Sequence, residues 1–287
     1  MELSRLVDPI KDAQHVPWAY LALGFMAFVA ARAVVLEGGL MLLIKRMAFL
    51  MRRRVLQLPY GKGQLWSEFR ANLVITFFDG VMIATLVHFV PPAPASQGVL
   101  LAFTASFIWF EIWFYVSHRA LHSKALYFIH RQHHVAVVTS PLTALSFSML
   151  ERAILLVGSF GGILLIGLVY PLASFGVALY LFANYALNLF AHTNIEVVPP
   201  LFVRSKLTNW LNAPTYHSLH HARYNGHYGL YTPFLDWMFN SRFEDYEAVH
   251  KMAFEGNGLT HKAQRIKVSS APASAAPSPR SQAAQIS

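Results

Sequence analysis

Long apolar runs, broken by short basic or turn-rich stretches, set the pattern of this chain. Residues 18–36 are apolar apart from Arg32. Glu37 and the Gly38-Gly39 pair interrupt the run, and residues 40–44 resume it before Lys45-Arg46. A run of this length predicts one long or broken membrane-spanning helix, since a span needs ~20 apolar residues. Residues 72–90 predict a second span, ended by Pro91-Pro92 and the loop through Gly98. Residues 99–116, dense in aromatic side chains, predict a third. Residues 153–170 and 172–191 predict a fourth and a fifth, joined at Pro171; the minimal turn between them also allows a re-entrant hairpin. From about Val268 the chain is rich in Ala, Ser, Pro and Gln and predicts a disordered tail.

Composition agrees with the spans. The 287 residues are 55% hydrophobic and 13% charged, about half the charged share of a soluble domain, roughly 25%. Mean hydropathy is +0.40. Cysteine is absent, which excludes disulfides, iron–sulfur clusters, thiolate zinc sites and cysteine nucleophiles together. A metal would have to be held by His, Asp or Glu, and there are 14 histidines.

The net charge of +9 is explained by topology better than by nucleic acid, because the basic residues flank the apolar spans. Lys and Arg in short loops mark the cytoplasmic side. Lys45, Arg46, Arg52, Arg53, Arg54, Lys62 and Arg70 fall in one such segment, and Arg119, Lys124, Arg131 and Arg152 in another. The loop 91–98 and the turn at 170–171 have no Lys or Arg. Five spans with the N-terminus outside reproduce this alternation. The expectation is a multi-pass protein, of the cell inner membrane, with its chemistry on the cytoplasmic face.

That chemistry is suggested by histidine spacing. His118 and His122 form H-x-x-x-H; His130, His133 and His134 form H-x-x-H-H; His217, His220 and His221 repeat it. Positions i, i+3 and i+4 share one helix face, so each cluster is expected to aim two or three imidazoles at one point. The charge pattern puts all three clusters, and His192 at the end of the fifth span, on the same side. Nine imidazoles exceed the needs of one ion with an open position, which takes three or four protein ligands, so two ions are expected. Imidazole suits Fe, Zn, Cu and Ni alike. His15, His88, His250 and His261 stand outside the clusters and read as surface or hydrogen-bonded residues.

Within the third span, Glu111 is an ionisable group in an apolar setting, which is a functional hypothesis by default; Asp79 and Arg32 are candidate partners for it or for each other. Phe107, Trp109, Phe110, Trp113, Phe114 and Tyr115 form an aromatic stretch expected to face lipid, pack neighbouring helices or in part line a substrate path.

The ordered motifs resemble the fatty acid hydroxylase superfamily, the membrane di-iron group that includes sterol desaturases. The resemblance covers about residues 100–245. Asn188-Leu-Phe-Ala-His192 looks like the family's Asn-x-x-x-His, His227-Tyr228-Gly229 like its Asn-Tyr-Gly with His for Asn, and Leu235-Asp236 like its Trp-Asp with the aromatic displaced to Trp237. Where family members often carry Arg-x-His before a Glu, this chain has Ser146-Phe-Ser148 and then Glu151, so substrate identity does not carry over.

The resemblance implies an all-α membrane bundle with a cytoplasmic helical cap holding a His-rich dimetal site. It divides the chain into residues 1–98 with the first two spans, a catalytic domain over 99–250, and a tail over 251–287. It implies two iron ions, with zinc as a possible substitute, and O2 as co-substrate. The reaction implied is hydroxylation or desaturation of a lipid C–H bond. Asn188, Asp236, Glu151 and His227 are candidates to orient the ligands. No flavin, haem or dinucleotide motif is evident, so electrons are expected from a separate ferredoxin or b-type cytochrome with its reductase. The alternatives from other classes are a zinc-dependent membrane hydrolase, disfavoured because position 119 is Arg where H-E-x-x-H needs Glu, and a metal transporter, disfavoured because the histidines lie at helix ends rather than mid-bilayer.

Overall fold

The computed structural model describes residues 15–89, 98–170 and 172–267. The Pro91-Pro92 turn, Pro171, residues 1–14 and the tail from Val268 lie outside the described residues.

Among the described residues the regular elements are helices, and extended pairing is confined to isolated bridges, Arg54 with Ile195 and Leu56 with Leu259. The membrane-type helices are α1 (Trp18–Arg46), α4 (Val99–Leu121), α6 (Met149–Val169) and α7 (Ser174–Ala191), each long and apolar enough to cross a bilayer. The expected interruption of the first span is a π-helical stretch, Ala33–Gly38, within one continuous α1. Short α2 (Ala48–Arg52) follows it. The second expected span is also helical, as α3 (Gln64–Phe89), but it is not among those four; its first turns carry Gln64, Glu68, Arg70 and Asn72, and Asp79 lies further along. At 21 and 18 residues, α6 and α7 can each cross without a re-entrant turn.

Two layers result. In the first, α1 packs along α3 and α4 packs on α6 and α7. A Cβ on Gly80 would lie 2.4 Å from the Met26 side chain and 2.8 Å from its backbone, so only glycine permits that α1–α3 approach. The aromatic stretch of α4 turns inward: Trp109 and Trp113 fill notches at Gly162 and Gly158 of α6, and Trp109 Nε1 donates to the Gly158 carbonyl at 2.9 Å. The stripe that faces outward is instead aliphatic: Ile108, Ile112 and Val116, one turn apart and 53%, 44% and 56% exposed.

The second layer is built by α8 (Pro200–Arg204), α9 (Pro214–Arg223), α10 (Phe234–Met238) and α11 (Tyr246–Phe254). Its core joins Val55, Leu56, Tyr216, Leu219, Val249 and Leu259. Arg223 closes it with a two-pronged bond to Asp245, 2.6 and 2.9 Å. The first-layer core gathers Phe110, Phe114, Leu155, Tyr180 and Tyr231.

Candidate metal centre

All nine cluster histidines come together, in two groups. One contains His118, His122, His130, His134 and His220; the other contains His133, His192, His217 and His221. Within each group one nitrogen per residue lies within 4.8 Å of the others. The expectation that each sequence cluster converges on one point needs correction. His134 and His220 serve one group, while their neighbours His133 and His221 serve the other. Successive helical residues point about 100° apart, so an adjacent pair is split between two centres.

Each supporting element is placed by ordinary local signals. His118 ends α4, and His122 follows as its C-cap. His192 caps the end of α7. His130 closes α5 (Tyr127–His130), and His133 and His134 sit on a 3₁₀ turn. Pro214 opens α9, whose ten residues are all buried. Ser148 caps α6 by accepting from Glu151 N at 3.1 Å and donates its hydroxyl to the Ile129 carbonyl at 2.8 Å. The cap thus ties the start of α6 to the residue beside His130.

Outer hydrogen bonds fix the ring tautomers. The Nδ1–H groups of His118, His192, His220 and His221 donate to the carbonyls of Tyr228, Asn188, Gly226 and Ala136 at 2.7–2.8 Å. His130 Nδ1 and Glu151 Oε1 share a hydrogen bond of 2.6 Å. Since a carbonyl can only accept, the four carbonyl-bonded rings carry their proton on Nδ1 and present a bare Nε2 inward. This is the outer-shell arrangement found around metal-bound histidine.

The inward nitrogens crowd one another. Nε2–Nε2 separations are 3.1 Å for His122–His220, His122–His134 and His134–His220. In the other group His133 lies 3.3 Å from His192 and 3.1 Å from His221, and His217 lies 2.9 Å from His192 and 3.2 Å from His221. Ligands about 2.1 Å from a metal are about 3.0 Å apart at right angles and about 3.4 Å apart at the tetrahedral angle. The observed spacings run from 2.9 Å, just under the right-angle value, to 3.3 Å, near the tetrahedral one. The buried Nε2 atoms of His118 and His130 have no hydrogen-bond partner. Converging lone pairs repel unless a cation or a shared proton lies between them, so the donor set fits a pair of metal ions, five imidazoles to one and four to the other.

Burial keeps the rings neutral, as ligation requires. Loss of solvation, reinforced by neighbouring imidazoles, holds His133, His134, His217, His220 and His221 well below the usual histidine range. Loss of solvation also lowers His122 to about 2 and His192 to about 4.

The candidate orienting residues separate. Glu151 bonds a cluster histidine directly. Asn188 does so through its backbone carbonyl, while its side-chain amide donates to Ala144 O at 2.7 Å. Asp236 acts one step away: it accepts from Tyr228 N and Gly229 N at 2.9 and 2.7 Å, fixing the turn whose carbonyl holds His118. His227 is set apart from both groups. Its ring stacks on Tyr216 at 3.6 Å and its Nδ1–H donates to Tyr216 O. Its φ of 55° is a left-handed conformation that Asn and His adopt more readily than most residues.

The expected partners of Glu111 also need correction. Its carboxylate accepts from Thr232 N and Oγ1 at 2.8 and 2.7 Å and from Tyr231 N. Asp79 instead takes a two-pronged bond from Arg152, 2.8 and 2.7 Å, and Arg32 faces Glu37. His250, read as a surface or hydrogen-bonded residue, is fully buried with its Nε2 3.3 Å from Glu196 Oε1. His15 and His261 are exposed. Sequence reading missed the carbonyls of Tyr228, Gly226 and Ala136, and only the glycine at 226 signals anything: its φ is 136° and a Cβ there would lie 2.7 Å from Ser241 O.

A cavity of about 720 Å³ runs through the membrane layer. Phe114, Phe147, Leu155 and Asn188 line both it and the small pocket at His118, His130, His133 and His192.

Residues 103–241 match the family model described as Fatty acid hydroxylase. Curated relatives include the very-long-chain aldehyde decarbonylase GL1-4 of Oryza sativa subsp. indica, 28% identical over 187 residues, which are 63% of this chain and 27% of that protein. The very-long-chain aldehyde decarbonylase CER1 of Arabidopsis thaliana is 27% identical over 193 residues, 62% of this chain and 30% of that protein. GL1-6 of Oryza sativa subsp. indica, with the same activity in its name, is 31% identical over 153 residues, 51% and 24% of the two chains. The match thus spans less than a third of the length of these relatives. No solved structure matches the chain significantly.

Proposed function

We propose, from the premise that residues 103–241 form a fatty acid hydroxylase domain, that this chain is a membrane-bound di-iron oxygenase acting on a C–H bond of a lipid. The observation that carries the reading is the junction of two features: nine inward imidazoles in two groups, and an apolar cavity whose walls continue into the pocket beside them. The catalytic part is assigned to residues 99–250.

Iron held by the two groups would supply O2 activation. The chain's own residues do the rest. The Tyr228, Gly226, Ala136 and Asn188 carbonyls and Glu151 orient five of the nine rings, those of His118, His220, His221, His192 and His130. Phe114, Phe147 and Leu155 exclude water between site and cavity, which limits leakage of reactive oxygen. The cavity volume suits a lipid-sized ligand, typical sites holding roughly 300–1,000 Å³.

Hydroxylation inserts one oxygen atom and releases the other as water, taking two electrons and two protons from outside the substrate. An acidic donor, a ferredoxin or b-type cytochrome, would be steered to the exposed Arg119, Lys124 and Arg131, which flank His122 and His130 in the chain. Their place in the charge pattern supports a cytoplasmic position for this face.

The names of the relatives favour a second reading, removal of an aldehyde carbon from a long chain. Lipid mass spectrometry of cells making the chain or its His217→Ala variant separates the two. A gain of one oxygen or loss of two hydrogens, absent in the variant, supports the oxygenase; loss of one carbon with its oxygen supports the second reading. Unchanged lipids, with iron loaded and a donor system present, count against both.

A further inference from the structure

The cavity in the membrane layer is closed on most sides. Its lining residues on α3, α4 and α6 are buried or half-buried. Among the described residues, exposed lining occurs only on α1 and α7. On α1 it includes Phe28, Ala31 and Val35, three and four residues apart on one helix face, and on α7 Ala178, Leu181 and Phe182. Val35 is 65% exposed and Phe182 69%. A side chain that both lines a cavity and meets the outside marks its mouth, so the cavity opens along the α1–α7 seam.

The two helices of the seam lean elsewhere, α1 along α3 and α7 on α4. They are braced where Arg32 rests 4.0 Å from the centre of the Tyr185 ring and Tyr185 Oη donates to Glu37 Oε1 at 3.1 Å. The seam also holds an apolar groove of about 330 Å³, with Leu40 and Ile44 on one side and Leu189 and Phe190 on the other. Groove and cavity share Leu36, Phe182 and Tyr185. Both rims belong to helices long and apolar enough to cross a bilayer, so the medium at the mouth is lipid hydrocarbon rather than water. Inward, Phe182 and Asn188 are six residues apart on α7, about 9 Å at 1.5 Å per residue. Asn188 already lines the pocket beside the histidines.

We infer that the chain takes its substrate sideways from the bilayer through the α1–α7 seam, tail first: one acyl chain of a membrane lipid enters while the head group stays outside. The six rim residues Phe28, Ala31, Val35, Ala178, Leu181 and Phe182 are all apolar. Carrying a charged or zwitterionic head group past them would strip its water without replacing it. The two arginines of the cavity wall already stand in ion pairs, Arg32 with Glu37 and Arg152 with Asp79. An acyl chain meets no such cost, since it passes from one apolar medium to another. The carbon delivered to the histidines therefore belongs to the hydrocarbon tail. This deepens, and rests on, the reading of the chain as a lipid-oxidising enzyme.

The test is photolabelling of the full chain in lipid nanodiscs with two phosphatidylcholine probes, one bearing a diazirine at the end of an acyl chain and one bearing it on the head group. Mass spectrometry of peptides locates the labels. The tail probe is expected to label the inner wall at Phe147 and Leu155, as well as the outward stripe of Ile108, Ile112 and Val116. The head-group probe should label neither Phe147 nor Leu155. Ala31→Trp with Ala178→Trp fills the mouth from both rims at exposed positions. It should lose the inner-wall label while helicity and stripe labelling stay unchanged. The proposal is overturned if the tail probe leaves Phe147 and Leu155 of the wild type unlabelled, as it would if a second copy of the chain covered the seam. It is equally overturned if the head-group probe labels them; neither result needs a variant to fold. A folded double variant that keeps the inner-wall label would place the entrance elsewhere and overturn it too. Labelling reads binding alone, so the expected pattern in a protein that oxidises no lipid would overturn only the oxygenase reading.

Discussion

His133 and His134 are adjacent in the chain, yet their inward nitrogens belong to different centres. His133 Nε2 faces His192 and His221 at 3.3 and 3.1 Å, whereas His134 Nε2 faces His122 and His220, both at 3.1 Å. The same split separates His220 from His221, so the two H-x-x-H-H motifs each contribute to both groups. Adjacent residues in the chain thereby hold the two groups side by side.

Metal content should reveal this division. His217→Ala, which removes one of the four imidazoles of its group, should lower bound metal from about two ions per chain towards about one. His134→Ala should do the same through the other group. The pair together should remove nearly all metal, by elemental analysis of the purified proteins. Equal, complete loss from either single change would show one indivisible site.

Glu151→Gln should weaken metal binding by roughly 10–100-fold, the usual cost of losing an outer partner of a ligating histidine. Competition with a chelator of known affinity measures it. Glu151→Gln keeps the volume, so circular dichroism should stay unchanged; a drop in helicity without a drop in affinity would assign Glu151 a structural role only.

Gly226→Ala places a Cβ 2.7 Å from Ser241 O at a φ of 136°. The turn must move, and with it the carbonyl that holds His220 Nδ1. A destabilisation on the order of 1–3 kcal/mol is expected, with reduced metal retention. Thermal unfolding in detergent with and without added metal tests both; unchanged retention would mean that the Gly226 carbonyl does not set the ring.

Acid should weaken the metal-free protein. An unfolded histidine takes up its proton near 6.5, while folded His192 does so only at about 4. Between these values the unfolded state binds more protons, so stability falls as pH falls and recovers above 6.5. Denaturant unfolding of chelator-treated protein across this range should show a midpoint that declines with acid. A flat or rising midpoint would contradict the buried, neutral state of the ring.

Much of this protein was legible in one dimension. Apolar run length, basic flanks and the recurrence of histidine at three- and four-residue spacing are local properties, and each acts through the backbone beside it. They sufficed for a helical membrane bundle and for the nine residues that meet. The tertiary structure decided which histidines share a centre, because that depends on the angle at which α4, α7, α9 and the 3₁₀ turn approach one another. It also decided that Trp109 and Trp113 turn inward, since their space is the absence of side chains at Gly162 and Gly158 on another helix. The carbonyls that fix the rings carry no side-chain signature at all. Glu111, Asp79 and Arg32 looked like mutual partners because buried charges seek opposites; in three dimensions two backbone amides and the Thr232 hydroxyl satisfied the first, Arg152 the second, and Arg32 stands beside Glu37 one turn along its own helix.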